Sequence, residues 1–306
     1  MAVEKTDKVW LNGQFIPFDE ARVPILTHTL HYGLGVFEGI RYYACDDGSS
    51  AVFRLSEHVA RLFRSARIVE LKIPYTEQQI EDAILETIRI NQLPEGYIRP
   101  LVYLGEGAMG LLPADNPVEV ALIVWPWGAY LGDEGIINGI RAKVSSYTRH
   151  HPNSTMTKSK TCGDYVNSIL AKREVTNLGY DEAIMLDPSG LVSEASGENL
   201  FIAREGRIKT PPLYSVLEGI TRDCVMAIAR DKGIEIVEAG ITRDELYSAE
   251  EAFLSGTAAE VTPIREVDDR VIGKGSRGPL TQALQATYFD AVHGREAKYD
   301  SWLTRI

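Results

Sequence analysis

Cysteine is scarce in this chain. Cys45, Cys162 and Cys224 lie scattered through 306 residues, odd in number and without a Cys-x-x-Cys pair. This excludes a disulfide framework and a cysteine zinc site, and it points to a reducing cytoplasm. Cys162 reads as small buried filler. Long apolar runs are missing too: none approaches the roughly 18 residues that mark a membrane helix. The stretch Met1-Ala2-Val3-Glu4-Lys5-Thr6-Asp7 mixes charges and has no apolar secretory segment. Positive charge is in short supply, with 32 Lys and Arg against 43 Asp and Glu, a net charge of −11. Together with a pI near 5.1 this argues against nucleic acid or an anionic membrane as a partner. An anionic substrate would need arginines placed at its own site. Internal repeats and low-complexity tracts are absent as well.

What is present is the composition of a globular protein. Apolar residues make up 44% of the chain and charged residues 25%, and the length favours two domains over one. Val9 to Ile16 reads as a hairpin turning at Asn12-Gly13. Ala51 to Leu55 reads as a strand, after which Ser56 is placed to cap a helix with the apolar face Val59, Leu62, Phe63 and Ala66. Thr76 and Gln79 form a capping-box pattern ahead of Ile80, Ile84, Leu85 and Ile88. Ile98 to Leu104, Val118 to Trp125 and Ile140 to Ser146 read as strands. Trp125 to Gly135 is punctuated by Pro and Gly, which marks an interdomain linker. Asp164 is placed to cap a helix through Val166, Ile169 and Leu170. Glu182 to Leu186 and Leu200 to Ala203 read as strands around the turn Asp187-Pro188-Ser189-Gly190. Ile220 to Lys232 reads as a helix stopped by Gly233. Thr242 and Glu245 form a second capping box, Ala252 to Leu254 a short strand, and Pro279 to Val292 a final helix.

Four segments carry chemistry. Ser159-Lys160-Thr161-Cys162-Gly163-Asp164-Tyr165 offers an amine nucleophile, which must be partly neutral and so needs a desolvated or cation-flanked place. Lys158 lies on the same face of an extended segment, and spacing does not choose between the two lysines. Ser193-Glu194-Ala195-Ser196-Gly197 offers a carboxylate at the start of a Ser/Gly-rich stretch after a strand. Leu217-Glu218-Gly219-Ile220-Thr221 opens a helix, where backbone N–H groups, a hydroxyl and the positive dipole end suit a phosphate. Ser255-Gly256-Thr257-Ala258 offers a second run of N–H groups. An amine, an acid and two anion-binding turns are what pyridoxal 5′-phosphate (PLP) requires. Taken singly, each has a plainer explanation: a solvated lysine, an exposed glutamate, a simple helix cap.

In the order and spacing of its motifs the chain resembles the branched-chain amino acid aminotransferases, of the fold-type IV class of PLP enzymes. The resemblance rests on His31-Tyr32-Gly33-Leu34-Gly35-Val36-Phe37-Glu38-Gly39-Ile40-Arg41, Tyr97-Ile98-Arg99-Pro100, Pro126-Trp127-Gly128-Ala129-Tyr130 and the Lys160 and Glu194 segments. It runs from about Trp10 to Ile264, more weakly beyond. It implies an α+β/α/β fold: a small domain over 1–128, a linker over 129–139 and a large PLP-binding domain over 140–306, with the cofactor between the two.

The resemblance also implies roles. Lys160, five positions before Tyr165, would hold the cofactor as a Schiff base and shuttle the proton. Tyr165 would bond the ring oxygen and Glu194 the pyridine nitrogen. Arg61, Ile220, Thr221 and Thr257 would hold the phosphate, with Leu217, Gly219 and Gly256 completing the cofactor-binding set. Phe37, Tyr97, Trp127 and Tyr130 would line an apolar substrate pocket, with Gly39 beside them. Tyr97 and the N–H groups of Thr257 and Ala258 would receive the α-carboxylate, and Arg99, supported by Arg41, the distal carboxylate of glutamate or 2-oxoglutarate. Tyr32 and Leu111 match positions that reach across from a neighbouring subunit, so a homodimer at least, and up to a hexamer, is implied. The implied reaction is ping-pong transamination of L-leucine, L-isoleucine and L-valine with 2-oxoglutarate. Alternatives on the same fold are a D-amino acid or (R)-amine transaminase and an aminodeoxychorismate lyase. Tyr97-x-Arg99 with Trp127-Gly128-Ala129-Tyr130 favours the branched-chain enzymes. A non-catalytic PLP-binding protein would have no need of Lys160.

Overall fold

The computed structural model describes residues 3–113, 115–128 and 130–306. The chain divides into two compact units. The first holds residues up to 128 together with 159–164 and 291–306; the second holds 130–158 and 165–290.

The first unit begins with the hairpin β1 (Lys8–Leu11) and β2 (Gln14–Pro17). Its turn residues Asn12 and Gly13 both take positive φ, 49° and 89°. That is the type I′ geometry, whose twist matches the flanking strands. There follow α1 (His28–Tyr32), β3 (Gly35–Phe37), β4 (Ile40–Ala44), β5 (Ser50–Phe53), α2 (Leu55–Ile68), α3 (Glu77–Asn91), β6 (Gly96–Leu104) and β7 (Val118–Trp125). The strands pair in the order β5-β4-β6-β7-β1-β2, with Leu303–Arg305 outside β5 and β3 beside β6.

Side-chain alternation along these strands decides what faces where. Ile40 and Tyr42 of β4, Ile98 and Val102 of β6, and Val120, Leu122 and Val124 of β7 share one core with Val59, Leu62, Ile80, Ile84 and Ile88 of the two helices. The residues between them point the other way. Arg41 pairs with Tyr97 and Tyr97 with Trp125, so one cross-strand row carries a cation and two aromatics on the opposite face, with Arg99 two residues along.

Both capping boxes exist, at Thr76–Gln79 and Thr242–Glu245. Ser56 does not cap α2. The cap residue is Arg54, at φ 54° and without a side-chain cap bond. Its N–H donates to the Trp302 carbonyl at 2.7 Å, and Leu55 already sits in the core, so tertiary anchoring sets this helix start.

The second unit contains α4 (Asp133–Asn138), β8 (Ile140–Val144), α5 (Tyr165–Asn177), β9 (Glu182–Leu186), β10 (Val192–Ala195), β11 (Asn199–Arg204), β12 (Arg207–Thr210), α6 (Ile220–Asp231), β13 (Ile236–Glu238), α7 (Arg243–Tyr247), β14 (Glu251–Gly256), β15 (Glu260–Val267), β16 (Arg270–Val271) and α8 (Pro279–Val292). Its sheet runs β10-β9-β8-β15-β14-β11-β12-β13, and β10 also pairs with β11. That last pairing closes six strands on themselves and removes their edges. Ile140, Ala142, Val144, Ile184, Leu200, Ile202, Leu254 and Ile264 contribute to one core.

Several local readings shift. The turn after β9 leads into β10, and Glu194 lies within that buried strand rather than in a loop after one. The linker segment carries α4, and its Ala129 lies outside the described residues. Residues 159–164 and 291–306, read as part of one unbroken second domain, lie with the first unit. The cause is long-range pairing: Cys162 N–H donates to the Gly35 carbonyl at 2.8 Å, and Gly163 N–H to that of Gly33 at 3.1 Å. Among the described residues no helix is long and apolar enough to cross a membrane.

Candidate active site

Lys160 is held by its backbone. Its N–H donates to the Ser65 hydroxyl of α2 at 3.1 Å, and its carbonyl accepts from Phe37 N–H at 3.1 Å. Ser159 Oγ donates to the Ser65 carbonyl at 3.1 Å. Gly33, at φ 73°, fits because a Cβ there would stand 2.9 Å from Gly163 Cα. With the backbone fixed, the half-buried Lys160 side chain places Nζ 5.1 Å from the centre of the Phe37 ring. Lys158 is different. Its ammonium donates to the carbonyls of Leu213 and Val216 and lies 3.9 Å from Glu218 Oε1. Those partners hold it away from nucleophilic work, a distinction that sequence spacing does not supply.

The same unit buries a charged cluster. Arg61 donates to Glu38 from Nε at 2.6 Å and from Nη2 at 2.9 Å, and His58 Nδ1 meets Glu38 Oε2 at 2.7 Å. Burial alone would raise the Glu38 pKa, but the Arg61 charge and the hydrogen bonds from Arg61 and His58 overcome it. The carboxyl is held well below the usual range. Burial also holds the His58 imidazole below its ordinary value, against the pull of Glu38. Glu38 and His58 were not among the sequence candidates. Their one signal is spacing, since His58 and Arg61 stand three apart on the buried face of α2.

Phe37, Tyr97, Trp125 and Trp127 form an aromatic wall. Tyr97 and Trp127 rings meet edge to face at 4.3 Å, and Tyr97 and Trp125 lie 5.1 Å apart. The Arg99 guanidinium sits 4.6 Å from the Phe37 ring centre and 5.4 Å from that of Tyr97. Its Nη2 reaches Tyr97 Oη at 3.4 Å, while its buried Nε has no hydrogen bond among the described residues. No carboxylate of those residues pairs with it. Arg41 donates to the Trp127 carbonyl at 3.2 Å and to the Gly128 carbonyl at 2.9 Å, so it secures the end of the wall. Tyr32 and Leu111 are exposed, Leu111 by 90%.

The second unit supplies the remaining candidates. Glu194 is buried, and its Oε2 accepts from Leu217 N–H at 3.1 Å and from Asn199 Nδ2 at 3.3 Å. Arg149 Nη2 approaches Oε1 to 2.8 Å without the alignment of a hydrogen bond, and that oxygen has none among the described residues. Gly219 is the cap residue of α6, with no side-chain cap bond. Ile220 and Thr221, both buried, open the helix. A Cβ at Gly219 would fall 1.9 Å from Asn199 Oδ1, so only glycine allows this approach. Gly256 ends β14, and the half-buried Thr257 and Ala258 form the turn after it. Tyr165 opens α5 half-buried, and the Tyr130 ring lies 5.3 Å from Lys172 Nζ. Arg149 and Asn199 are the residues of this unit that sequence reasoning missed, because their value rests on partners dozens of residues away or across a strand pair.

In their chemistry the residues of each unit fit PLP. The Lys160 amine suits an aldehyde. Glu194 Oε1 is a buried acceptor suited to a ring N–H. The uncapped helix start at Gly219 and the turn at Gly256 suit a phosphate.

Comparison with known proteins agrees. The family described as Amino-transferase class IV matches residues 35–267. A branched-chain-amino-acid aminotransferase of Pseudomonas aeruginosa is 49% identical over 298 residues, covering 97% of each chain. The crystal structure of a T.th. branched-chain amino acid aminotransferase with pyridoxamine 5′-phosphate superposes with a TM-score of 0.95 at 47% identity, covering 98% of both chains. That of the same protein complexed with N-(5′-phosphopyridoxyl)-L-glutamate gives 0.94 at 46% identity, again over 98% of both. The chain therefore belongs to the class IV aminotransferases, and its fold is the fold-type IV fold.

Proposed function

We propose that this chain is a PLP-dependent aminotransferase that moves the amino group of L-leucine, L-isoleucine and L-valine to 2-oxoglutarate in a ping-pong cycle. The observation that carries the substrate assignment is Arg99, a cation set among the rings of Phe37, Tyr97 and Trp125 with no carboxylate partner among the described residues. A wall of this kind accepts an apolar side chain, and its arginine accepts the distal carboxylate of glutamate, whose burial without a partner would be costly. The relatives' names and the phosphopyridoxyl-glutamate of one solved complex support the same reading.

When bound, PLP supplies a sink for the electron pair left when the substrate Cα–H bond breaks. Lys160 would hold its aldehyde carbon, Glu194 its ring nitrogen and Tyr165 its ring oxygen. Arg61, Ile220, Thr221 and Thr257 would hold its phosphate, with Leu217, Gly219 and Gly256 shaping the cradle. Tyr97 and the N–H groups of Thr257 and Ala258 would orient the α-carboxylate. With the substrate so placed, the Lys160 amine would take the proton from the substrate Cα and pass it to the cofactor's aldehyde carbon. Phe37, Trp127 and Tyr130 would line the pocket for the apolar side chain.

The proposal extends to assembly and location. Ile25 (79% exposed), Leu111 and Leu112 (89% exposed) in the first unit, and Val166 and Ile169 on one face of α5 in the second, are apolar surface suited to a second copy. A homodimer at minimum is inferred, in a reducing cytoplasm where the three cysteines stay free.

The test is a half-reaction on PLP-loaded protein without acceptor, followed by absorbance. L-leucine should convert the cofactor to its amine form, while D-alanine and (R)-1-phenylethylamine should not. Conversion by the D-amino acid or the amine alone would overturn the substrate assignment, and full turnover by Lys160→Ala would overturn the whole reading.

A further inference from the structure

Glu194 of β10, Asn199 of β11 and Ser255 of β14 form one cross-strand row. Residues paired across strands show their side chains on one face. Two buried oxygens of this row have no hydrogen bond among the described residues, Glu194 Oε1 and Ser255 Oγ. Between them, Asn199 is 5% exposed and directs its amide into the protein. Its Nδ2 donates both to Glu194 Oε2 at 3.3 Å and to the Leu217 carbonyl at 3.1 Å. Leu217 N–H returns to the same Glu194 oxygen at 3.1 Å. Two residues on, the Gly219 backbone packs directly against Asn199 Oδ1, at the start of α6.

These contacts form a closed circuit. One carboxylate oxygen is pinned by two donors, which fixes the other to point away from them. The amide that pins it also holds the peptide groups leading into the helix. We propose that Asn199 is a positioning residue that locks Glu194 to the Leu217–Gly219 segment, so that the partner of the ring nitrogen and the helix start that receives the phosphate keep one fixed spacing. This rests on the PLP reading above. The chemistry explains the residue type. Aspartate has no N–H to donate and would set a second negative charge against Glu194. Glutamine reaches too far for a side chain already touching the Gly219 backbone. Alanine leaves Glu194 with a single donor on Oε2 and the Leu217 carbonyl without its amide partner.

The test compares wild type, Asn199→Asp and Asn199→Ala. The readouts are apoprotein Tm, PLP affinity from fluorescence titration, ring-nitrogen protonation from nitrogen-15 NMR of labelled cofactor, and steady-state kinetics with L-leucine. Loss of a buried hydrogen-bond partner corresponds to about tenfold or more, so both variants should bind PLP about tenfold more weakly. Each should also lose ring-nitrogen protonation and show a fall in kcat larger than the change in KM. Wild-type ring protonation and kcat in either folded variant, with only Tm reduced, would make Asn199 merely structural and overturn the proposal. Failure of Asn199→Asp to fold leaves the decision to Asn199→Ala on the same criteria. If wild type itself neither binds PLP nor converts L-leucine, the cofactor reading fails, which is a separate outcome.

Discussion

Gly39 lies directly beneath the Tyr97 hydroxyl: a Cβ at position 39 would stand 1.8 Å from Tyr97 Oη and 2.7 Å from Cζ. The tyrosine rests on bare backbone, and its ring is locked between Trp125 and Trp127. Gly39→Ala should therefore displace Tyr97 from the wall it shares with Arg99. The expected outcome is a KM for L-leucine raised by at least about tenfold, since small misplacements in a site are costly. Steady-state kinetics beside a Tm measurement checks this; an unchanged KM would show that Tyr97 does not contact substrate.

Arg99→Ala should separate the two substrate classes. Removing the cation leaves a glutamate side chain with a buried, unpaired carboxylate, while the aromatic wall for an aliphatic side chain persists. The KM for L-glutamate or 2-oxoglutarate should rise by about ten- to a hundredfold, and that for L-leucine far less. Equal losses for both would remove Arg99 from the distal-carboxylate role.

Glu38 serves Arg61, His58 and the Gly39 N–H inside the first unit, and breaking such a buried pair costs about 3–5 kcal/mol. Glu38→Ala should cost that much in urea unfolding and weaken PLP binding through Arg61. The pH sign is fixed by the depressed carboxyl of Glu38. Its stabilisation is present above the usual carboxylate range and is lost as pH falls through the folded value. The gap between wild type and Glu38→Gln should narrow in acid, and a gap that widens would contradict the ion pair.

Glu198 shows the opposite sign. Burial, then the charge of Glu182, push its carboxyl up to about 8, with Lys172 and the Gly197 N–H opposing and Glu194 adding to the rise. Glu182 itself is met by Lys172 and by Ser196 Oγ at 2.6 Å. A raised folded pKa means stability that is complete below the ordinary carboxylate range and is lost as pH climbs through about 8. Glu198→Gln should flatten that decline and be the more stable protein at pH 9, as measured by Tm across pH. A Tm–pH curve parallel to wild type would show that Glu198 is already ionised.

Where structure depends on neighbours in sequence, it was legible. The Asn12-Gly13 turn and the boxes at Thr76 and Thr242 are local hydrogen-bond and dihedral preferences, and each is found in place. The segment that holds Lys160, the helix start at Ile220 and the turn at Gly256 were legible because amines, acids and glycines at those spacings suit one kind of cofactor. The Glu38 fork on Arg61, the approach of Arg149 to Glu194 and the two carbonyls that occupy Lys158 were not. Each joins residues brought together only by strand pairing or helix docking, and no local preference announces them. Arg41 shows the same limit: its bonds to the carbonyls of Trp127 and Gly128 join segments more than eighty residues apart, which its residue type does not announce.

Residues 303–305 pair with Phe53, Val52 and Ala51, from near the other end of the chain. During synthesis a chain emerges from its N-terminus, and domains tend to form in that order. Here β5 must wait as an open edge while the whole second unit is made, because its outer neighbour is not yet translated. Joining ends so distant also carries the loop-closure cost that slows folding. Until residues 303–305 are made, the outer edge of β5 therefore has its backbone groups unpaired, the kind of edge that templates wrong strand pairing.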